Sequence, residues 1–122
     1  WLRVHEKRLR LMARFKPVFD QYDVILMPAT ATTAFKHLHK SELPMRKLVI
    51  NGEKRGYTEL FMWIAPATVM GLPATSAPIG ITAQGLPVNV QIVGAAFQDK
   101  TTLRFAELLA SVMGGFVKPG GY

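Results

Sequence analysis

Three serines, Ser41, Ser76 and Ser111, and three histidines, His5, His37 and His39, are the side chains that could turn over a substrate. A serine becomes a nucleophile when a base lies within reach and a third group orients that base. Ser76 stands between Thr75 and Ala77 and lacks the Gly-x-Ser-x-Gly elbow that exposes a hydrolase serine. It reads as a small residue packed in a strand, and Ser111 as one inside a helix. The i, i+2 spacing of His37 and His39 could share a metal. A catalytic zinc takes about three protein ligands, however, and nothing nearby completes the set. Asp20, Asp23, Glu42, Glu53, Glu59 and Asp99 form no acid–base pair by spacing. The absence of cysteine removes disulfides, thiolate metal sites and a Cys nucleophile. No phosphate loop or dinucleotide fingerprint occurs, so neither a cofactor nor a metal is expected.

The elements that would position these residues follow from pattern. A chain of 122 residues, 49% of them apolar, suits one domain. Leu2, Leu9, Met12, Phe15 and Phe19 keep helical spacing, which predicts a helix over 2–15 that Pro17 ends, with a further turn over 18–21. Asp23–Pro28 is a short apolar run, the pattern of a strand buried on both faces. Residues 29–43 read as loop. Asn51-Gly52 predicts a type I′ hairpin whose charged second arm, Glu53-Lys-Arg, suits an exposed ribbon. Residues 58–70 have helical spacing with Pro66 in the middle, which predicts a kinked helix closed by Gly71.

Two strands are expected next, over 74–82 and 88–93, joined at Gln84-Gly85 and paired antiparallel. Asp99 is the expected N-cap of a last helix, with Leu103, Ala106, Leu109 or Ala110, and Met113 as its buried stripe, and the tail from Phe116 to Tyr122 is expected to be irregular. The fold class is α/β, a single segment over 1–122.

The formal charge of +7 is uneven. Residues 1–16 carry Arg3, Lys7, Arg8, Arg10, Arg14 and Lys16 against Glu6, and a second group comprises Arg46, Lys47, Lys54 and Arg55. A basic patch can attract nucleic acid or anionic lipid. No zinc-finger, RNA-recognition or Gly-x-x-Gly pattern accompanies it. A solvated face backed by a core-facing stripe accounts for the first helix, and nucleic acid is not the expected partner. No apolar run reaches the roughly 18 residues of a membrane span, and residues 1–16 set six basic residues among apolar ones where a signal peptide would have a long apolar core. A cytoplasmic location is expected.

Gly71-Leu-Pro-Ala-Thr-Ser-Ala-Pro-Ile-Gly80, then Gly85-Leu-Pro-Val-Asn-Val-Gln-Ile-Val-Gly94, then an amphipathic helix, resembles the C-terminal end of the amidase signature family. Asp23–Ala29 resembles a strand that family carries upstream, and Gly114–Tyr122 a tail seen in some bacterial members. Asn89 stands where the family commonly has glycine. The resemblance implies a C-terminal segment of the amidase fold, a mixed β-sheet with helices packed on it. It also implies a parent that hydrolyses a carboxylic amide through a serine acyl-enzyme. The family's Ser–cis-Ser–Lys triad lies in an N-terminal part that no residue here matches, so no catalytic residue is expected in 1–122 and the segment alone should be inactive.

The helix preceding Gly-Leu-Pro-Ala borders the acyl pocket in that family. By position, Phe61, Met62 and Ala65 are the substrate-binding candidates, while Trp63 is large enough to line a pocket or fill a core. Two other readings stand beside this one. The first is the A subunit of a tRNA-dependent amidotransferase, and the second is a non-catalytic module whose basic helix contacts nucleic acid. A segment cut from its sheet has open edges, so self-association is also expected.

Overall fold

Val88, Val90 and Ile92 alternate with Asn89, Gln91 and Val93, a two-residue period that makes Pro87–Gly94 a strand, β5. The computed structural model describes residues 1–39 and 41–118 and sets β5 between two neighbours. On one side runs β1, Val24–Pro28, and on the other β4, Ala74–Ile81. Both pair with β5 antiparallel, so that Leu26 and Thr75 flank Ile92. Ile92 and Val93 are 0% and 1% exposed and form the centre of the core. The expected turn joins β4 to β5, with the Gly85 N–H donating to the Thr82 carbonyl at 2.9 Å. Every strand pairing among the described residues is antiparallel, so the parallel pairs that a mixed sheet adds are not found in this segment.

The run 23–28 does form a strand, but it is not buried on both faces. β1 lies at the edge of the three-stranded sheet, none of its residues is fully buried, and Leu26 is half exposed. In this segment β1 has a neighbour on one side only.

Helix α3, Asp99–Met113, crosses β4 and β5. Thr102 sits at the crossing, 1% exposed. Its hydroxyl accepts from Thr75 Oγ1 at 2.8 Å and donates to the Asp99 carbonyl at 2.8 Å, so both capacities of the buried group are used. Close approach requires glycine opposite: a Cβ on Gly94 would lie 2.7 Å from Thr102 Cγ2. This anchor sets the rotation of the helix. The inward side is therefore Thr102, Phe105, Ala106, Leu109 and Ala110, whereas Leu103 and Met113 of the expected stripe are exposed. Gln98 is the capping residue and its carbonyl accepts from the N–H groups of Thr101 and Thr102. Asp99, expected as the cap, is the first helical residue, where its charge still favours the helix dipole.

Asn51 and Gly52, at φ 52° and 83°, make the hairpin turn between β2, Lys47–Ile50, and β3, Glu53–Gly56. Positive φ at both positions is what a type I′ turn demands. The ribbon is exposed except for Leu48, which is buried, and Ile50 and Gly56, which are part-buried. The chain then makes a 3₁₀ turn over Tyr57–Phe61, continues through a bend, and forms α2, Ala65–Met70. The expected single kinked helix over 58–70 is thus two short pieces. Pro66 falls in the first turn of α2, where its missing N–H costs nothing, so it opens a helix instead of bending one.

Helix α1, Leu2–Phe15, followed by a 3₁₀ turn over Lys16–Asp20, has the expected extent. Its face differs. His5, Arg8, Met12 and Phe15 are part-buried, while Leu2 and Leu9 are exposed. The helix leans on α2, where Arg8 Nε donates to the Val69 carbonyl, and that contact turns the two leucines to the flank. The segment 29–39 is irregular, as expected, and the tail from Pro119 to Tyr122 lies outside the described residues. No described helix is long and apolar enough to cross a membrane.

Candidate functional site

The end of β1 and the loop after it divide two clefts. Pro28, Thr30 and Ala31 line both. The larger, about 630 Å³, runs along Leu26–Ala34 against Ile79 and Pro87–Val90. The smaller, about 490 Å³, is closed on its other sides by Ile50, Asn51 and Arg55 of the hairpin and by Glu59, Met62 and Trp63. Short loops of small residues at a strand end are common places for binding groups, and Ala29-Thr-Ala-Thr-Thr-Ala34 is such a loop. Sequence reasoning passed over it; its small-residue composition directly after a strand was the available signal.

Met62 and Trp63 reach the smaller cleft because the segment that carries them is pinned from behind. Gln91 on the central strand is 6% exposed and donates from Nε2 to the Trp63 carbonyl at 3.0 Å. At the front, Glu59 holds the entry to the 3₁₀ turn, accepting from the Gly56 N–H at 2.9 Å and pairing with Arg55 Nε at 3.3 Å. The cleft thus offers apolar walls from Pro28, Ala31, Ile50, Met62 and Trp63, with an Arg55–Glu59 ion pair and the Asn51 amide at its polar side. That combination suits binding of an uncharged, partly apolar group oriented by a few polar contacts.

Of the expected substrate-binding residues, Met62 lies in this cleft, whereas Phe61 and Ala65 are not part of its lining. Phe61 is about half exposed on the 3₁₀ turn, and Ala65 opens α2. The serine and histidine side chains are not brought together for nucleophilic chemistry. Ser76 Oγ accepts from the Asn89 amide at 3.2 Å and Ser111 Oγ donates to the Leu108 carbonyl at 2.7 Å. His37 and His39 meet edge to face, with ring centroids 5.1 Å apart. Among the described residues no three His, Asp or Glu side chains gather as a metal site would require.

The family model described as Amidase matches residues 1–103. This chain belongs to the amidase family. Its membership accords with the Gly-Leu-Pro strands and the α3 cover described above. Over 112 residues it is 35% identical to the A subunit of the glutamyl-tRNA(Gln) amidotransferase of Brevibacillus brevis, covering 92% of this chain and 21% of that protein. It is 33% identical over 113 residues to the fatty acid amide hydrolase of Medicago truncatula, covering 88% of this chain and 17% of that protein. Among solved structures, the A subunit of the Thermotoga maritima glutamyl-tRNA(Gln) amidotransferase superimposes with a TM-score of 0.64 at 33% identity, over 81% of this chain and 19% of that one. The chain spans about a fifth of the length of the curated relatives it matches. The family is an enzymatic one, and this chain has its α/β architecture.

Proposed function

We propose that residues 1–122 form the C-terminal, non-catalytic portion of an amide-cleaving enzyme, and that the enzyme is the A subunit of a tRNA-dependent amidotransferase. The observation that carries this reading is the match to such subunits, at 33–35% identity across most of the chain, in both sequence and solved structure. In the reaction, an activated serine attacks the amide carbonyl, ammonia leaves, and water releases the acid from the acyl-enzyme. Backbone N–H groups elsewhere hold the developing oxyanion. The segment contributes the antiparallel sheet, its helical cover and the wall of the substrate cleft at Met62 and Trp63. Phe61 and Ala65 support that wall from the 3₁₀ turn and the start of α2. The substrate is a small carboxamide and the enzyme works in the cytoplasm.

A stand-alone amidase is the second reading. The apolar walls of the smaller cleft favour it, as does the 33% identity to a fatty acid amide hydrolase. The experiment expresses the full reading frame containing residues 1–122. Co-purification with partner subunits and ammonia transfer from glutamine to glutamate-charged tRNA support the amidotransferase. Hydrolysis of simple aliphatic or aryl amides by the lone polypeptide, with no transfer, supports the stand-alone enzyme instead.

A further inference from the structure

The two basic groups of the sequence have different fates in the fold. In the hairpin group, Arg46 and Arg55 engage the protein's own groups, whereas Lys47 and Lys54 stay exposed. Arg55 pairs with Glu59 at 3.3 Å and Glu53 at 3.9 Å, and Arg46 donates from Nε to the Ser41 carbonyl at 2.9 Å while lying 5.7 Å from the Tyr57 ring centroid. On α1, most of the charge has no internal use. The side packed against the protein is His5, Arg8, Met12 and Phe15. At about 100° per residue, Arg3, Lys7, Arg10 and Arg14 fall within roughly 60° of arc on the opposite side. All four are exposed. Arg10 pairs with Glu6 at 2.6 Å, whereas Arg3, Lys7 and Arg14 have no ion-pair partner among the described residues. The row runs about 16 Å along the helix.

We infer that this row is a phosphate-contacting surface for the tRNA backbone, an inference that rests on the amidotransferase reading. A line of unpaired cations along a rigid helix neutralises successive phosphates and releases their counterions, which supplies affinity without reading sequence. The absence of a base-reading motif is therefore in keeping with the role. A membrane surface fits less well. An interfacial helix needs its apolar side facing outward, and here the outward centre is basic, with Leu2 and Leu9 on one flank and Val4 and Leu11 on the other. Arg and Lys are almost never fully buried without partners, so the row stays open wherever no acidic groups meet it.

The test compares the full-length enzyme, in its complex, with the triple variant Arg3→Glu, Lys7→Glu, Arg14→Glu. These exposed side chains lie outside both clefts, so hydrolysis of free glutamine is expected to remain as in the parent. Binding of tRNA at about 50 mM salt should weaken about tenfold or more, and the slope of log affinity against log salt should fall by about 2–3, three phosphates at roughly 0.7–0.9 each. The neutral variant with Gln at the same positions should show an intermediate loss. Unchanged tRNA affinity and slope, with tRNA-dependent transfer intact, would overturn the surface and leave the amidotransferase reading standing. A full-length enzyme with no tRNA-dependent transfer at all would overturn that reading and the surface together. Stronger parent binding to phosphatidylserine vesicles than to tRNA, lost in the triple variant, would reassign the row to a lipid surface and overturn the RNA role.

Discussion

Gly94 and Thr102 show how much of this fold depends on a single close approach. The Thr102 hydroxyl links β4 to α3 through Thr75 and donates back to the Asp99 carbonyl within the helix, and only a hydrogen on Gly94 leaves room for its methyl group. Gly94→Ala should therefore destabilise by about 1–3 kcal/mol, the cost of overpacking a tight core, read as a lower urea midpoint at unchanged slope. A second residue-scale prediction concerns the cleft. Met62 is 67% exposed, so truncation leaves the core intact. In the full-length enzyme Met62→Ala should raise KM for its amide substrate by about fivefold with little change in kcat, the pattern of lost uniform binding. An unchanged KM would remove Met62 from the substrate wall. At this scale the sequence also placed Ser76 in a strand and Ser111 in a helix, where they bond to Asn89 and to the Leu108 carbonyl.

Elements with strong local chemistry were legible in the sequence, and those whose faces depend on a partner were not. Asn51-Gly52 fixed a hairpin and its register, and the alternation in 88–93 gave a strand and its inner face. Gly52→Ala should accordingly cost about 1 kcal/mol in thermal unfolding, because Gly52 sits at φ 83°. Helix α1 had a clear apolar period, yet the period is compatible with several rotations. Its lean on α2 through Arg8 selected one that leaves Leu2 and Leu9 outside. The same reasoning covers α3, where the Thr102 anchor chose the inward side. Pro66 was ambiguous because proline ends one helix and opens another by the same missing N–H. The edge position of β1 is a property of topology that a six-residue run cannot express. Of the candidate site, Met62 was read from position in a resembling family, whereas the loop 29–34 drew no notice because small residues carry no chemistry of their own.

Across the whole molecule, the described chain leaves much apolar surface uncovered: Phe97 is 96% exposed, Trp1 86% and Phe116 79%. Both outer strands of the sheet, β1 and β4, also have an unpaired edge in this segment. The 122-residue polypeptide on its own should self-associate, by pairing of strand edges or burial of the 57–70 segment. Light scattering after gel filtration checks this, and a monomer at high protein concentration would contradict it. On the proposed reading, the segment supports amide cleavage without performing it. The most direct measurement treats the active full-length enzyme with a fluorophosphonate that esterifies reactive serines and maps the modified peptide. A single labelled serine outside residues 1–122 is expected. Stoichiometric labelling of Ser41, Ser76 or Ser111 with loss of activity would contradict it.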